Sequence, residues 1–249
     1  MNKKFIYGLV VLCILLISSF SVYADEASKE QGKWKREASA GYNLATGNTE
    51  ESQLSGKFIA NKKTDHYEFS LKGDAYYSSS DEKMNAQKYS GMTRFAYSFG
   101  SDLKWYNFYS LDAGHDRFAD IDYRLVSAGG IGYWFSAEPD FKALVELGAG
   151  VEHTNFRGNV EDKTEMVLIP RGYVEKRLWG ESRISEDIKV YPAIADGGEF
   201  RIYSETAFTN PITDVLSLRV SVLDEYNSDP PLDTKKNDIR LISSIVYTF

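Results

Sequence analysis

The stretch Leu241-Ile242-Ser243-Ser244-Ile245-Val246-Tyr247-Thr248-Phe249 decides the fold. Leu241, Ile245, Tyr247 and Phe249 share one face of an extended segment, because side chains alternate with a period of two along a strand. Terminal residues of soluble domains usually fray. An aromatic at the last position of a strand is expected instead where that strand must pair with the first, since no sheet edge can stand open in lipid. The stretch therefore predicts the closing strand of a transmembrane β-barrel. Tyr247 and Phe249 are the expected assembly signal. The expected partners are the outer-membrane barrel assembly machinery and outer-membrane lipids.

The same period runs upstream. Ala38, Ala40, Tyr42 and Leu44 alternate with Glu37, Ser39, Gly41 and Asn43, and the turn Thr46-Gly47-Asn48-Thr49 follows. The pattern returns at Tyr67, Phe69, Leu71, Ala75 and Tyr77, at Tyr89, Thr93, Phe95, Tyr97 and Phe99, and at Phe141, Ala143, Val145, Leu147, Ala149 and Val151. Such alternation marks strands with one apolar face. It predicts an all-β chain, a closed antiparallel barrel of about twelve strands. Pro170 and Pro192 interrupt the segments around Met166–Lys176 and Ser182–Pro192.

The opposite face carries charges of both signs. Glu68, Lys72, Arg94, Arg201, Glu205 and Arg219 are the residues expected to line the lumen, either as cross-strand ion pairs or along a water-filled path. A soluble sandwich would show the same alternation with its charges in water. Two further features favour a barrel in a membrane. The connections Asn61–Asp65, Gly100–Asp102, Ser136–Asp140, Leu178–Glu181 and Asn210–Asp214 are mostly shorter than Ser78–Asn85, His115–Asp120, Asn155–Lys163 and Tyr226–Asn237, while Thr46–Glu50 and Ile194–Gly198 fit the scheme less well. Short periplasmic turns and longer outer loops produce that asymmetry. Tyr97, Phe99, Trp105, Tyr133, Phe135, Phe141, Trp179 and Phe208 cluster beside the shorter connections, as an interfacial girdle requires.

The N-terminus sets the compartment. Lys3 and Lys4 precede the apolar run Phe5 to Phe20, and Val22-Tyr23-Ala24 is a small-residue cleavage site followed by Asp25 and Glu26. Residues 1–24 are thus expected to be a signal peptide, 25–33 a short periplasmic segment, and 34–249 the barrel. The single cysteine, Cys13, falls in the leader, so disulfides and thiol chemistry are excluded from the mature chain. A formal net charge of −7 argues against nucleic acid as a partner.

Few residues offer chemistry, and none is assigned a catalytic role. Of the three histidines, His66 falls in a predicted turn. His153 shares a face with Ser127, but pairs counted back from the Ser136–Asp140 turn set it opposite Tyr123, beyond reach of a proton relay. Asp112, His115, Asp116, Asp120 and Asp122 crowd one loop. Asp116, Asp120 and Asp122 form a candidate Ca²⁺ site, since hard cations take several carboxylate oxygens. The spacing lacks the glycine and closing glutamate of an EF-hand, and aspartates capping their own turn would look the same. No other cofactor is indicated.

Several segments resemble one family in order along the chain. Ala40-Gly41-Tyr42-Asn43 with Thr46-Gly47-Asn48-Thr49-Glu50 resembles the opening of the domain of unknown function 481 proteins, the YdiY-like salt-induced outer-membrane proteins. The resemblance returns at Asp116-Arg117-Phe118, Asp120-Ile121-Asp122-Tyr123-Arg124 and Gly130-Ile131-Gly132-Tyr133. It closes at Tyr226-Asn227-Ser228, Pro230, Lys236, Asp238 and Val246-Tyr247-Thr248-Phe249. The resemblance implies an outer-membrane barrel, and its salt-induction label carries no mechanism. The expected function is a non-enzymatic envelope protein, structural or a narrow channel for small solutes. The alternative is an outer-membrane hydrolase or acyltransferase acting on lipid. A soluble secreted ligand-binding barrel is disfavoured by the strand lengths and by Phe249.

Overall fold

The computed structural model describes residues 32–45, 51–81, 83–158, 160–192, 198–230 and 235–249. The expected signal peptide, most of the 25–33 segment, the turn Thr46–Glu50 and most of Ile194–Gly198 lie outside these residues. The described chain forms twelve strands: β1 Trp34–Ala45, β2 Glu51–Lys63, β3 Tyr67–Ser80, β4 Lys83–Phe99, β5 Trp105–Asp116, β6 Ile121–Ala137, β7 Phe141–Phe156, β8 Lys163–Arg177, β9 Arg183–Pro192, β10 Phe200–Pro211, β11 Leu216–Asn227 and β12 Asn237–Thr248. Each pairs antiparallel with its neighbours in sequence, and β1 pairs with β12 to close the barrel. At that seam Glu37 faces Thr248 and Ala40 faces Ile245.

Closure divides every strand into a lipid-facing and a lumen-facing set. The outward set includes Leu71, Leu111, Ile131, Leu147, Val151, Leu168, Val174, Ile188, Leu218, Val222, Leu241 and Ile245, all exposed. Such a continuous apolar exterior would be untenable in water and suits hydrocarbon. Rings border the apolar band at both ends. Tyr67, Tyr97, Phe99, Trp105, Tyr133, Phe135, Phe141 and Trp179 stand near the end that holds Trp34 and Thr248, called the near end below. Tyr42, Tyr89 and Tyr123 stand toward the far end. Tyr89 and Tyr97 lie on one face of β4, so at ~3.4 Å per residue along a tilted strand they bracket roughly 20 Å, close to the height of a barrel's apolar band.

The connections differ from the sequence expectation in one place. Instead of a loop over Ser78–Asn85, β3 and β4 continue to Ser80 and Lys83, with a register shift between Ser78 and Ser79. Serine-rich strands without apolar alternation hide such an extension from pattern reading. The two proline-bearing segments both form strands. Pro170 lies within β8 opposite Leu147, and Pro192 ends β9.

The lumen wall carries a small apolar core of Val126, Ala128 and Val167, with Ile169 packed against it. Beside it, rings from β5 lie over glycines of β6. A Cβ at Gly132 would sit 2.2–2.5 Å from atoms of the Tyr106 ring, and one at Gly130 would sit 2.9 Å from Phe108 Cζ. Only glycine lets these rings lie flat on the wall.

Candidate functional site: the charged lumen

The lumen is filled by side chains whose ion pairs reach between strands that are not neighbours. In the near half, Arg94 on β4 donates to Glu146 on β7 at 2.6 Å. Glu146 also accepts from Arg171 at 3.2 Å and from the Tyr106 hydroxyl at 2.7 Å. Arg171 in turn donates twice to Asp187, at 2.7 and 2.8 Å. The Arg94 guanidinium also rests 4.6 Å from the Phe108 ring centroid. With only 4% of its side chain exposed, Glu146 is the hub of this cluster. Bidentate guanidinium–carboxylate geometry makes such contacts strong and directional.

At the waist, Lys57 on β2 reaches Glu205 on β10 at 2.9 Å, past β1, β12 and β11. Lys72 and Asp74 stand 4.0 Å apart. Arg124 and Arg201 share Glu152, whose side chain is 3% exposed. Arg219 pairs with Glu37 at 3.2 Å and with the Thr209 hydroxyl at 3.1 Å. Toward the far end, Lys88 on β4 meets Asp116 at 3.1 Å, Glu225 on β11 at 3.0 Å and Asp238 on β12 at 2.6 Å. Arg240 also pairs with Glu225.

Between waist and far end lies a cavity of about 610 Å³. Lys57, Lys72, Asp74, Lys189 and Glu205 lie toward its base, and Phe118, Ala119, Pro230 and Lys235 of the far connections toward its mouth. The Arg94–Glu146–Arg171 cluster is not part of its lining. The cavity is therefore a vestibule toward the far end, and the near half of the lumen is packed with ion-paired side chains. Outside the spanning segments, the turn after β8 is tied by Arg177, which donates to Asp140 at 2.8 Å and to Glu181. That hydrogen bond holds the Glu181 carboxyl below the usual carboxylate range.

The six residues named as lumen-lining all lie on the inward face. Arg94, Arg201, Glu205 and Arg219 join the pairs above. Glu68 lies 4.0 Å from Lys63 and accepts from Ser70 at 3.4 Å. Their partners could not be named from sequence, because Glu37, Glu146 and Glu152 meet them only once the sheet closes. Tyr76, Tyr106, Tyr173, Tyr191 and Tyr203 also face inward and are absent from the residues named from sequence. Their signal was parity, since Tyr106 is out of phase with lipid-facing Trp105 and Tyr109.

The acidic loop does not converge. Asp112 and Asp116 face the lumen. One Asp116 oxygen caps the amides of Phe118 and Ala119 at 3.1 and 3.2 Å, and the other meets Lys88. Asp122 lies 3.8 Å from Arg157. Asp120 adopts a positive φ of 52° and accepts from the Arg157 amide through its carbonyl. Among the described residues no group of three acidic, histidine or cysteine side chains is arranged to hold a metal ion.

One of the three histidines, His153, meets a side-chain hydroxyl. His153 faces Leu125, not Tyr123, because β6 runs on to Ala137 and pairs it with Lys142 across a shorter turn, a displacement of which the register shift between Trp134 and Ser136 takes back one residue. Its Nδ1 bonds Thr164 at 2.7 Å, while Ser127 bonds the Tyr109 hydroxyl at 2.9 Å. His115 bonds the Asp122 carbonyl at 2.7 Å, and His66 stacks on Tyr97.

The uncharacterized protein YdiY of Escherichia coli (strain K12) is 25% identical over 239 residues, covering 93% of this chain and 89% of that protein. The beta domain of the Bordetella autotransporter BrkA is 12% identical, with 88% of this chain and 98% of that one covered at a TM-score of 0.40. The translocator domain of the autotransporter NalP from Neisseria meningitidis is 10% identical, with 87% of each covered at a TM-score of 0.42. Residues 38–249 match the family described as "Protein of unknown function, DUF481", and the chain belongs to that family.

Proposed function

We propose that the protein is a non-enzymatic barrel of the Gram-negative outer membrane whose lumen is shut at rest by its own ion pairs. The observation that carries this reading is the Arg94–Glu146–Arg171–Asp187 cluster, which joins β4, β7, β8 and β9 across the near half. Buried pairs of this kind resist opening, because separating one leaves an uncompensated charge. The apolar exterior with its two aromatic borders supports the membrane setting, and a leader ending at Ala24 would deliver the chain there.

Such a barrel serves the envelope as a structural element, with a narrow solute path available only when the cluster parts. The competing reading, a lipid hydrolase or acyltransferase, needs a histidine within hydrogen-bond reach of a nucleophilic hydroxyl and an orienting group. His153 with Thr164 is the nearest approach, on the lipid-facing surface, and Ser127 is engaged elsewhere. Planar-bilayer recording tests the proposal. The unaltered barrel should show almost no conductance, and Arg94→Ser should produce discrete small openings. Large, steady conductance in the unaltered protein would overturn it.

A further inference from the structure

Three groups lining the vestibule stand apart from its network. Lys189 and Tyr191 project inward from β9, and Asp112 projects inward from β5. Among the described residues none of the three has a hydrogen-bond or ion-pair partner. Both Lys189 and Tyr191 lie within electrostatic reach of Asp112, yet no ion pair closes the gap.

The contrast with their neighbours is sharp. Tyr106, Tyr173 and Tyr203 each donate to a glutamate, at 2.7, 2.9 and 3.3 Å. The other charges around Lys189 are engaged, with Arg171 on Asp187 at 2.7 Å and Lys72 facing Asp74 at 4.0 Å. Arg201 is held on Glu152 and rests over the Tyr191 ring, 5.0 Å from its centroid. Beside these engaged charges, an ammonium, a phenol hydroxyl and a carboxylate are left facing one cavity. Polar groups withdrawn from bulk water demand partners, and a cavity of about 610 Å³ has the size of a small-molecule site.

We propose that the vestibule binds a small zwitterionic solute, with its carboxylate on Lys189 and Tyr191 and its ammonium on Asp112. A simple anion would satisfy Lys189 but meet Asp112, and a simple cation would do the reverse. A molecule carrying both charges satisfies all three groups and leaves the net charge of the lumen unchanged, so the surrounding pairs need not rearrange. The inference rests on the vestibule and holds whether or not the near half is shut.

The test uses the purified barrel in detergent micelles, with glycine, 4-aminobutyrate and 6-aminohexanoate as probes that span several charge separations. Acetate and methylammonium at matched ionic strength are the controls, and saturation-transfer NMR reads binding. At least one zwitterion should bind about tenfold tighter than either control. Lys189→Met and Asp112→Asn should each weaken it about tenfold. Neither residue belongs to an ion pair, so the unfolding temperature should stay put. Acetate binding as tightly as the best zwitterion, indifference to either substitution, or no binding by any probe at roughly 50 mM would each overturn the proposal.

Discussion

Replacing Glu146 with leucine removes the acceptor shared by Arg94, Arg171 and the Tyr106 hydroxyl. The three donors fare differently. Arg171 keeps both bonds to Asp187, whereas Arg94 loses its one close carboxylate. Tyr106 cannot swing away, because its ring lies on Gly132. Stranding a guanidinium inside the lumen should cost about 3–5 kcal/mol. Arg94→Met should cost less, about 1.5–3 kcal/mol, since Glu146 retains Arg171 and Tyr106. In the double variant the stranded charge is gone, so its cost should fall short of the sum by at least about 1 kcal/mol. Urea unfolding from lipid vesicles, read by the heat-modifiable gel band, measures all three. Costs that add within about 0.5 kcal/mol would mean that the two residues are not coupled, and the closed lumen would lose its main support.

Other substitutions probe separate parts of the barrel. Gly132→Val should destabilise by about 1–3 kcal/mol or block folding, because its Cβ would overlap the Tyr106 ring, and a fully stable variant would contradict the packing. Changing Tyr247 and Phe249 together to serine should lower the amount of heat-modifiable protein in outer-membrane fractions, although the strand that closes on β1 ends at Thr248 and Phe249, expected as its last residue, follows it; unchanged amounts would refute their role in assembly. Millimolar Ca²⁺ should leave the unfolding temperature unmoved, since Asp116 is engaged by Lys88 and Asp122 lies beside Arg157. A calcium-dependent rise abolished by Asp116→Asn, Asp120→Asn and Asp122→Asn together would restore the metal site.

What could be read from sequence follows from what a strand encodes locally. Parity is a property of one strand, so the inward placement of Arg94, Arg201 and Arg219 was accessible from alternation alone. Partnership is a property of the closed sheet. Glu146 lies on β7, separated from β4 by β5 and β6, and no periodicity links residues 94 and 146. The pairing of Lys57 with Glu205 depends even more on closure, because β2 and β10 approach only through β1, β12 and β11.

Register depends on the length of the turn and on bulges, which alternation does not encode. A bulge inserts a residue into one strand without altering its composition. Counting back from a turn at Ser136–Asp140 puts His153 opposite Tyr123, whereas Ala137 already pairs with Lys142 and, with one residue taken back at the bulge near Ser136, the net shift sets His153 opposite Leu125. The shift moves His153 closer to Ser127, whose cross-strand partner is Val151, and so improves the geometry for an enzyme. Even so, each side chain has found another partner: Thr164 for His153 and Tyr109 for Ser127. The case against a relay thus stands on hydrogen bonding rather than distance. The lumen reverses that logic, because there the groups proposed to bind are Lys189, Tyr191 and Asp112, which have no hydrogen-bond or ion-pair partner among the described residues.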